Sequence, residues 1–320
     1  MRLKQVIYFF ILTLLLSSGI GRDDVPLSKY YEFANNPVFD CVGEMYYNNE
    51  FSGTCVLIDK KFIITAGHNF FFDSKEFIRD SIFLKELNVW RHRTYARYSY
   101  KGKIELFTIR FSGIDYKLKN IHLNETYTNG RHDTDYLGDT SVHRNPDDDH
   151  FDLAIAELET KVKNVNPASF YKNDDELGKQ AAFAGFGEVE VANEYKTDNS
   201  LHQRRKLAGE NMIDSVGGFK IGNNWGALFF DFDDPSSDCC NRMGSPIPLS
   251  LEYFPNGGDC GGGLFINEKG TWKLAGICTS PDYPIEHQLY GDKYGKYYGF
   301  TCYYQRLFAF KDWIKEKMKN

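Results

Sequence analysis

Three segments of this chain carry side chains that could do chemistry together. In Phe62-Ile63-Ile64-Thr65-Ala66-Gly67-His68 an apolar run ends in small residues and delivers an imidazole to a loop. In Asp152-Leu153-Ala154-Ile155 a carboxylate stands at the entrance of another apolar run. In Gly257-Gly258-Asp259-Cys260-Gly261-Gly262-Gly263-Leu264-Phe265 five glycines surround an Asp-Cys pair. Glycine reaches backbone angles closed to other residues, so amide groups of such a run can converge on one point. Converging N–H groups are what acyl transfer requires, because charge builds on the carbonyl oxygen as a nucleophile attacks. Cys260 is the candidate nucleophile, and its own N–H with that of Gly258 would hold the oxyanion. Each segment also has a plain reading: a loop histidine, an aspartate closing a turn, a glycine-rich turn with a disulfide cysteine. Their order along the chain makes them informative together.

The elements that must position these residues read mostly as strands. Residues 42–47 and 54–58 flank Asn48-Asn49-Glu50 as a hairpin, and further strand-type runs lie at 62–65, 104–111, 153–158, 181–186, 264–266 and 272–278. One segment, 305–319, has a helical period, with Leu307, Phe310, Trp313 and Ile314 on one face. The polar stretches 127–150 and 193–209 read as loops. Ahead of all this, Arg2 and Lys4 precede an apolar run and then small residues from Ser17 to Gly21. That order predicts a signal peptide over 1–21, too short to span a membrane, and an exported product, extracellular or periplasmic.

The remaining residues suit one large all-β unit or two ordinary domains. Aromatic residues make up 16% of the chain, and its net charge of −6 comes from interspersed acids and bases. Nothing there points to nucleic acid, and no membrane partner is expected once the leader is removed. The seven cysteines are Cys41, Cys55, Cys239, Cys240, Cys260, Cys278 and Cys302. In an oxidising compartment an odd count leaves one thiol unpaired or bonded to another chain.

The chain resembles the trypsin and chymotrypsin family, especially its bacterial secreted members. Thr65-Ala66-Gly67-His68 is similar to the family's Thr-Ala-Ala-His box, Asp152-Leu153-Ala154-Ile155 to its Asp-Ile-Ala-Leu strand, and Gly258-Asp259-Cys260-Gly261-Gly262 to its Gly-Asp-Ser-Gly-Gly box. Trp272-Lys273-Leu274-Ala275-Gly276-Ile277 resembles the strand beside the substrate backbone, and Phe300-Thr301 with Asp312-Trp313-Ile314 resembles the closing strand and helix. The resemblance implies two antiparallel six-stranded β-barrels, at about 40–165 and 175–304 within a peptidase domain at 22–320, and a C-terminal helix over about 305–319. It also implies a catalytic triad of His68, Asp152 and Cys260 in the cleft between the barrels. His68 would take the thiol proton and return it to the leaving amine, while Asp152 fixes the imidazole's tautomer. The implied activity is a secreted endopeptidase acting on protein or peptide substrates, open to a protein inhibitor, with no cofactor and no metal.

The departures from the family set further expectations. A thiol of pKa about 8.5 is already a few per cent thiolate at neutral pH, and a neighbouring histidine can lower it into a thiolate-imidazolium pair. Cysteine at position 260 therefore leaves three readings: an active cysteine enzyme, a weak or inactive homologue binding a protein through its cleft, or a serine protease carrying a replacement. Asn69 follows His68, so the family's disulfide there cannot form; Cys41 and Cys55, equidistant from Asn48, are instead expected opposite each other across the hairpin. The pairing of Cys239, Cys240, Cys278 and Cys302 stays open. Asp259 either receives a newly cut terminal amine, as is usual in the family, or braces the oxyanion loop through backbone hydrogen bonds. By the resemblance, Phe254 floors the substrate pocket and Thr279, Ser280 and Pro281 line its opposite wall. The His- and Asp-rich stretch 132–150 fits no recognised metal spacing, and Asn124-Glu125-Thr126 fits a glycosylation acceptor.

Overall fold

The computed structural model describes residues 19–84, 89–100, 102–130, 135–137, 150–192, 205–236, 241–282 and 297–319. Residues 1–18 of the expected leader, Cys239, Cys240 and most of the 132–150 stretch lie outside the described residues.

A short strand, β1 (Gly19–Gly21), and a helix, α1 (Leu27–Ala34), come first. β2 (Val42–Tyr47) and β3 (Glu50–Asp59) then form the expected hairpin. Its turn residues Asn48 and Asn49 have φ of 50° and 66°. A two-residue turn that matches strand twist needs this left-handed pair, and asparagine tolerates it better than most side chains. The turn is centred between Asn48 and Asn49, and a bulge between Met45 and Tyr46 shifts the register one residue further, so Gly43 rather than Cys41 stands opposite Cys55. The expected Cys41–Cys55 bridge is therefore absent. Both are buried thiols, and Cys41 Sγ donates to the Val38 carbonyl at 3.1 Å.

β4 (Phe62–Thr65), β5 (Phe71–Leu84), β6 (Val89–Tyr100), β7 (Phe107–Phe111) and β8 (Ile114–Leu123) follow. After α2 (Glu125–Gly130) and β9 (Asp135–Leu137) comes β10 (Ala154–Leu158). Six of these strands close a barrel in the order β10-β4-β3-β2-β7-β8. β4 and β10 are buried along their whole length, as their apolar runs require. They are antiparallel neighbours with Thr65 opposite Ala154. The chain leaving β4 and the chain entering β10 therefore meet at one end of the barrel. β5, β6 and β9 form a separate three-stranded sheet, which accounts for much of the extra length between His68 and Asp152. Asn124 is no glycan acceptor: it is 5% exposed and its Oδ1 accepts the Thr126 amide at 3.1 Å, capping α2.

The second half comprises β11 (Gln180–Gly185), β12 (Val189–Val191), β13 (Leu207–Met212), β14 (Ser215–Ile221), β15 (Asn224–Asp231), β16 (Tyr253–Phe254), β17 (Gly263–Glu268), β18 (Thr271–Asp282) and β19 (Thr301–Arg306). Where six strands are expected, seven form one antiparallel sheet in the order β13-β11-β17-β18-β19-β15-β14. Its two outermost strands are consecutive in the chain, joined only by Ile213 and Asp214, so the sheet must curl until its edges approach there. The result is two β-units in sequence with a terminal helix, α3 (Leu307–Lys317), which buries Leu307, Ala309, Phe310 and Ile314. Trp313 stays at the margin, its indole N–H donating to Glu125 at 3.1 Å.

Two elements near the amino end were not visible in the sequence. α1 has only eight residues, too few for its period to stand out, yet it buries Tyr30, Tyr31 and Ala34. β1 lies between β12, to which it is parallel, and β16, to which it is antiparallel, with Ile20 1% exposed. β1 consists of the last three residues of the expected leader, which ends where the strand ends.

Candidate active site

The meeting of β4 and β10 brings His68 and Asp152 together. Asp152 is fully buried, and one of its oxygens accepts the backbone N–H of His68 at 2.7 Å. The other lies 2.5 Å from His68 Nδ1. One carboxylate thus fixes both the backbone and the ring of the same residue, and Nδ1 carries the shared proton. Cys260 lies close enough to the same ring that each residue shifts the other's titration. All three members of the expected triad converge, two from the first barrel and one from the second half.

The loop bearing Cys260 is held by the first barrel. The Cys260 carbonyl accepts the Thr54 amide at 3.0 Å and the Asn69 side-chain amide at 2.9 Å. Thr54 Oγ1 donates to the Gly258 carbonyl at 2.9 Å and accepts the Phe186 amide at 3.1 Å. With these carbonyls fixed, the N–H groups of Gly258 and Cys260 donate to no acceptor among the described residues. Gly261 has φ of +90°, and a Cβ there would lie 1.9 Å from the Thr54 carbonyl oxygen. The close approach of the two halves therefore requires glycine at that position.

Asp259, fully buried, braces the same loop from behind. It accepts from the Gly187 amide at 2.7 Å, the Tyr253 hydroxyl at 2.9 Å and the Asn256 amide at 3.0 Å. Two backbone amides and a phenol thus occupy the carboxylate. Burial, and then Asp259 itself, push the Tyr253 hydroxyl far above its ordinary pKa, so it remains a donor.

The electrostatics differ from the expected ion pair. Burial works against the His68 imidazolium, but Asp152 and Cys260 outweigh it and hold the ring well above its ordinary pKa. A hydrogen bond to Cys278, together with burial, holds the Cys260 thiol well above its own ordinary value, against the pull of His68. A resting thiolate-imidazolium pair is disfavoured, and the thiol proton must pass to His68 during attack. The Cys260 Sγ–H also reaches the Thr279 carbonyl at 3.4 Å.

Of the expected pocket residues, Phe254 is fully buried, packed on Phe232 and Phe300 with ring centroids 6.0 and 5.9 Å apart. Its place in β16, paired with Ile20, puts it in the core rather than on an open floor. Thr279 is 3% exposed beside Cys260. Ser280 and Pro281 continue β18, opposite Tyr303 and Cys302. Thr54, Asn69 and Tyr253 escaped the sequence reading. They bond to backbone oxygens or to another buried side chain, and no local pattern marks them. The one available signal was Asn69 itself, a polar residue standing where the family places a cysteine.

No protein-family model matches the chain, and no curated protein matches it either. Two solved structures align over most of its length. One is neuropsin, a serine protease expressed in the limbic system of mouse brain, at 15% identity and a TM-score of 0.49, covering 94% of this chain and 100% of that one. The other is kallikrein-related peptidase 10 in complex with Zn2+, at 14% identity and the same TM-score, covering 88% and 96%. At such distances the site rests on its own geometry.

Proposed function

We propose that the chain is an exported endopeptidase in which Cys260 attacks the peptide carbonyl, His68 accepts the thiol proton, and Asp152 orients the ring. The observation that carries this reading is the buried Asp152 carboxylate bonded to His68 Nδ1 at 2.5 Å, while the next residue, Asn69, holds the Cys260 carbonyl at 2.9 Å. The oxyanion gathers against the N–H groups of Gly258 and Cys260. His68 then gives its proton to the leaving amine, and a water deprotonated by the same ring hydrolyses the thioester. Each role falls to a residue whose geometry suits it.

The raised thiol favours a second reading, in which the cleft binds an unfolded protein without turning it over. One assay separates the two. The reduced protein should cleave an unfolded protein substrate, and iodoacetamide alkylation at Cys260 or Cys260→Ala should abolish cleavage. Undiminished cleavage by the alanine variant would overturn the proposal, and saturable binding without turnover would establish the second reading. A Cys260→Ser variant completes the comparison. A large gain with oxygen would identify a site built for serine.

A further inference from the structure

Cys260 is not alone. Cys278 lies on β18, tied to the nucleophile loop by two backbone hydrogen bonds: the Gly261 amide donates to the Cys278 carbonyl at 2.8 Å, and the Cys278 amide donates to Gly262 at 2.9 Å. These bonds set Cys278 one residue out of step with Cys260 in the facing strand, close enough for each thiol to shift the other's titration. Cys278 is 0% exposed, whereas Cys260 is partly open to the cleft. On β19, Cys302 lies diagonally across from Cys278, which pairs with Tyr304 two residues further along. Three cysteines therefore stand on successive neighbouring segments, the latter two buried, and none of them is in a disulfide. The peptidase reading uses only the first.

We propose that Cys278 is a resolving thiol that protects Cys260 from irreversible oxidation and switches the site off reversibly. The inference rests on the proposed role of Cys260 as the accessible nucleophilic thiol. A hydroperoxide, ROOH, entering the cleft oxidises the Cys260 thiol to a sulfenic acid and leaves as ROH, with His68 taking and returning the proton. The Cys278 thiol then attacks the Cys260 sulfur, a S–S bond forms, and the hydroxyl departs as water. Two thiols on facing segments joined by backbone hydrogen bonds suit this closure, since a disulfide needs adjacent Cβ atoms. Cys302 can attack the Cys278 sulfur in turn, releasing Cys260 and moving the bond to Cys278–Cys302. An external dithiol reduces either bond and restores three thiols.

The test treats the reduced full chain with hydrogen peroxide and maps cysteine states by mass spectrometry without reduction. The parent protein should yield a disulfide at Cys278, joined to Cys260 or, after exchange, to Cys302. A Cys302→Ala variant should accumulate the Cys260–Cys278 bond alone, and Cys260→Ser should form neither bond at the same peroxide dose. In Cys278→Val and Cys278→Ser variants, with folding checked by circular dichroism, sulfinic and sulfonic Cys260 should rise by about tenfold over the parent. Equal over-oxidation in parent and variants, or no peroxide-induced bond at Cys278, would overturn the proposal. Because the readout is mass, it stands apart from the peptidase assay. Linkage without cleavage defeats only the peptidase reading, and cleavage without linkage defeats only this one.

Discussion

The side-chain amide of Asn69 lies 2.9 Å from the carbonyl oxygen of Cys260 and 2.9 Å from Thr65 Oγ1, so one residue beside His68 stitches the nucleophile's own peptide to the first barrel. Asn69 is 4% exposed, and its partners have no water to replace it. Asn69→Ala should cost about 1–3 kcal/mol in urea unfolding, the usual penalty for orphaning buried polar groups. It should also lower kcat/KM roughly tenfold or more by loosening the oxyanion loop. Asn69→Asp, which sets a carboxylate oxygen against the carbonyl, should be worse on both measures. Wild-type kinetics in the aspartate variant would remove Asn69 from the positioning machinery.

Activity should rise with pH beyond the range of an ordinary histidine. His68 must be neutral to take the thiol proton, and Asp152 with Cys260 holds its pKa well above the usual value despite burial. The acid limb of kcat/KM should therefore lie above pH 6.5. Asp152→Asn removes the main stabilising charge and should shift that limb downward while cutting the rate severely. A limb below the ordinary histidine value in the parent protein would contradict the assignment.

Stability should fall as the pH rises from mildly acidic to mildly alkaline. Burial holds up four carboxyl groups of the second half, and neighbouring carboxylates add to the shift at Asp214, Asp233 and Glu252. Asp214 is pushed to about 6, Asp233 to about 7 and Glu252 to about 8, and Asp231 is also raised. Folded pKa values above the unfolded ones mean that the native state binds the extra protons, so stability is fully present below about pH 4 for these groups and drains away through their folded values. Arg22 opposes the shift at Glu252 but does not reverse it. Melting temperature should decline from pH 5 to pH 8, and Asp233→Asn should flatten that decline. A curve rising across the window would show that these carboxyls do not govern it.

Tyr253→Phe should lower kcat more than it changes KM. The phenol supplies one of the hydrogen bonds to Asp259, and the carboxylate in turn shapes the loop that presents the Gly258 and Cys260 amides. Losing a bond to a buried charge costs about 1.5–3 kcal/mol, and the part of it felt at the oxyanion appears only in the transition state. Equal losses in kcat and binding would point to general unfolding instead.

The neighbourhood of His68 and Asp152 was legible because each lies just outside an apolar strand, and strand ends survive in sequence as a change from apolar to small or charged residues. His68 and Asp152 meet because β4 and β10 pair, a register written in two buried runs. What stayed hidden depended on single-residue detail. Cys41 and Cys55 are symmetrically spaced about Asn48, but the turn is centred between Asn48 and Asn49, and the bulge at Met45 moves them one residue further out of step. Asn124 reads as a glycan acceptor in sequence, yet spends its side chain on a helix start. The resting state of Cys260 depends on Cys278, which the sequence offers only as one more cysteine to be paired.

The hairpin of β5 and β6 departs from the barrel at Phe71, only three residues after His68, and returns by Tyr100, the residue paired with Phe71. Its two ends therefore adjoin, and a tight turn can bridge them with the barrel strands undisturbed. The ribbon is in this sense an accessory hung beside His68, free to lengthen or shrink without moving the strands that carry that residue and Asp152.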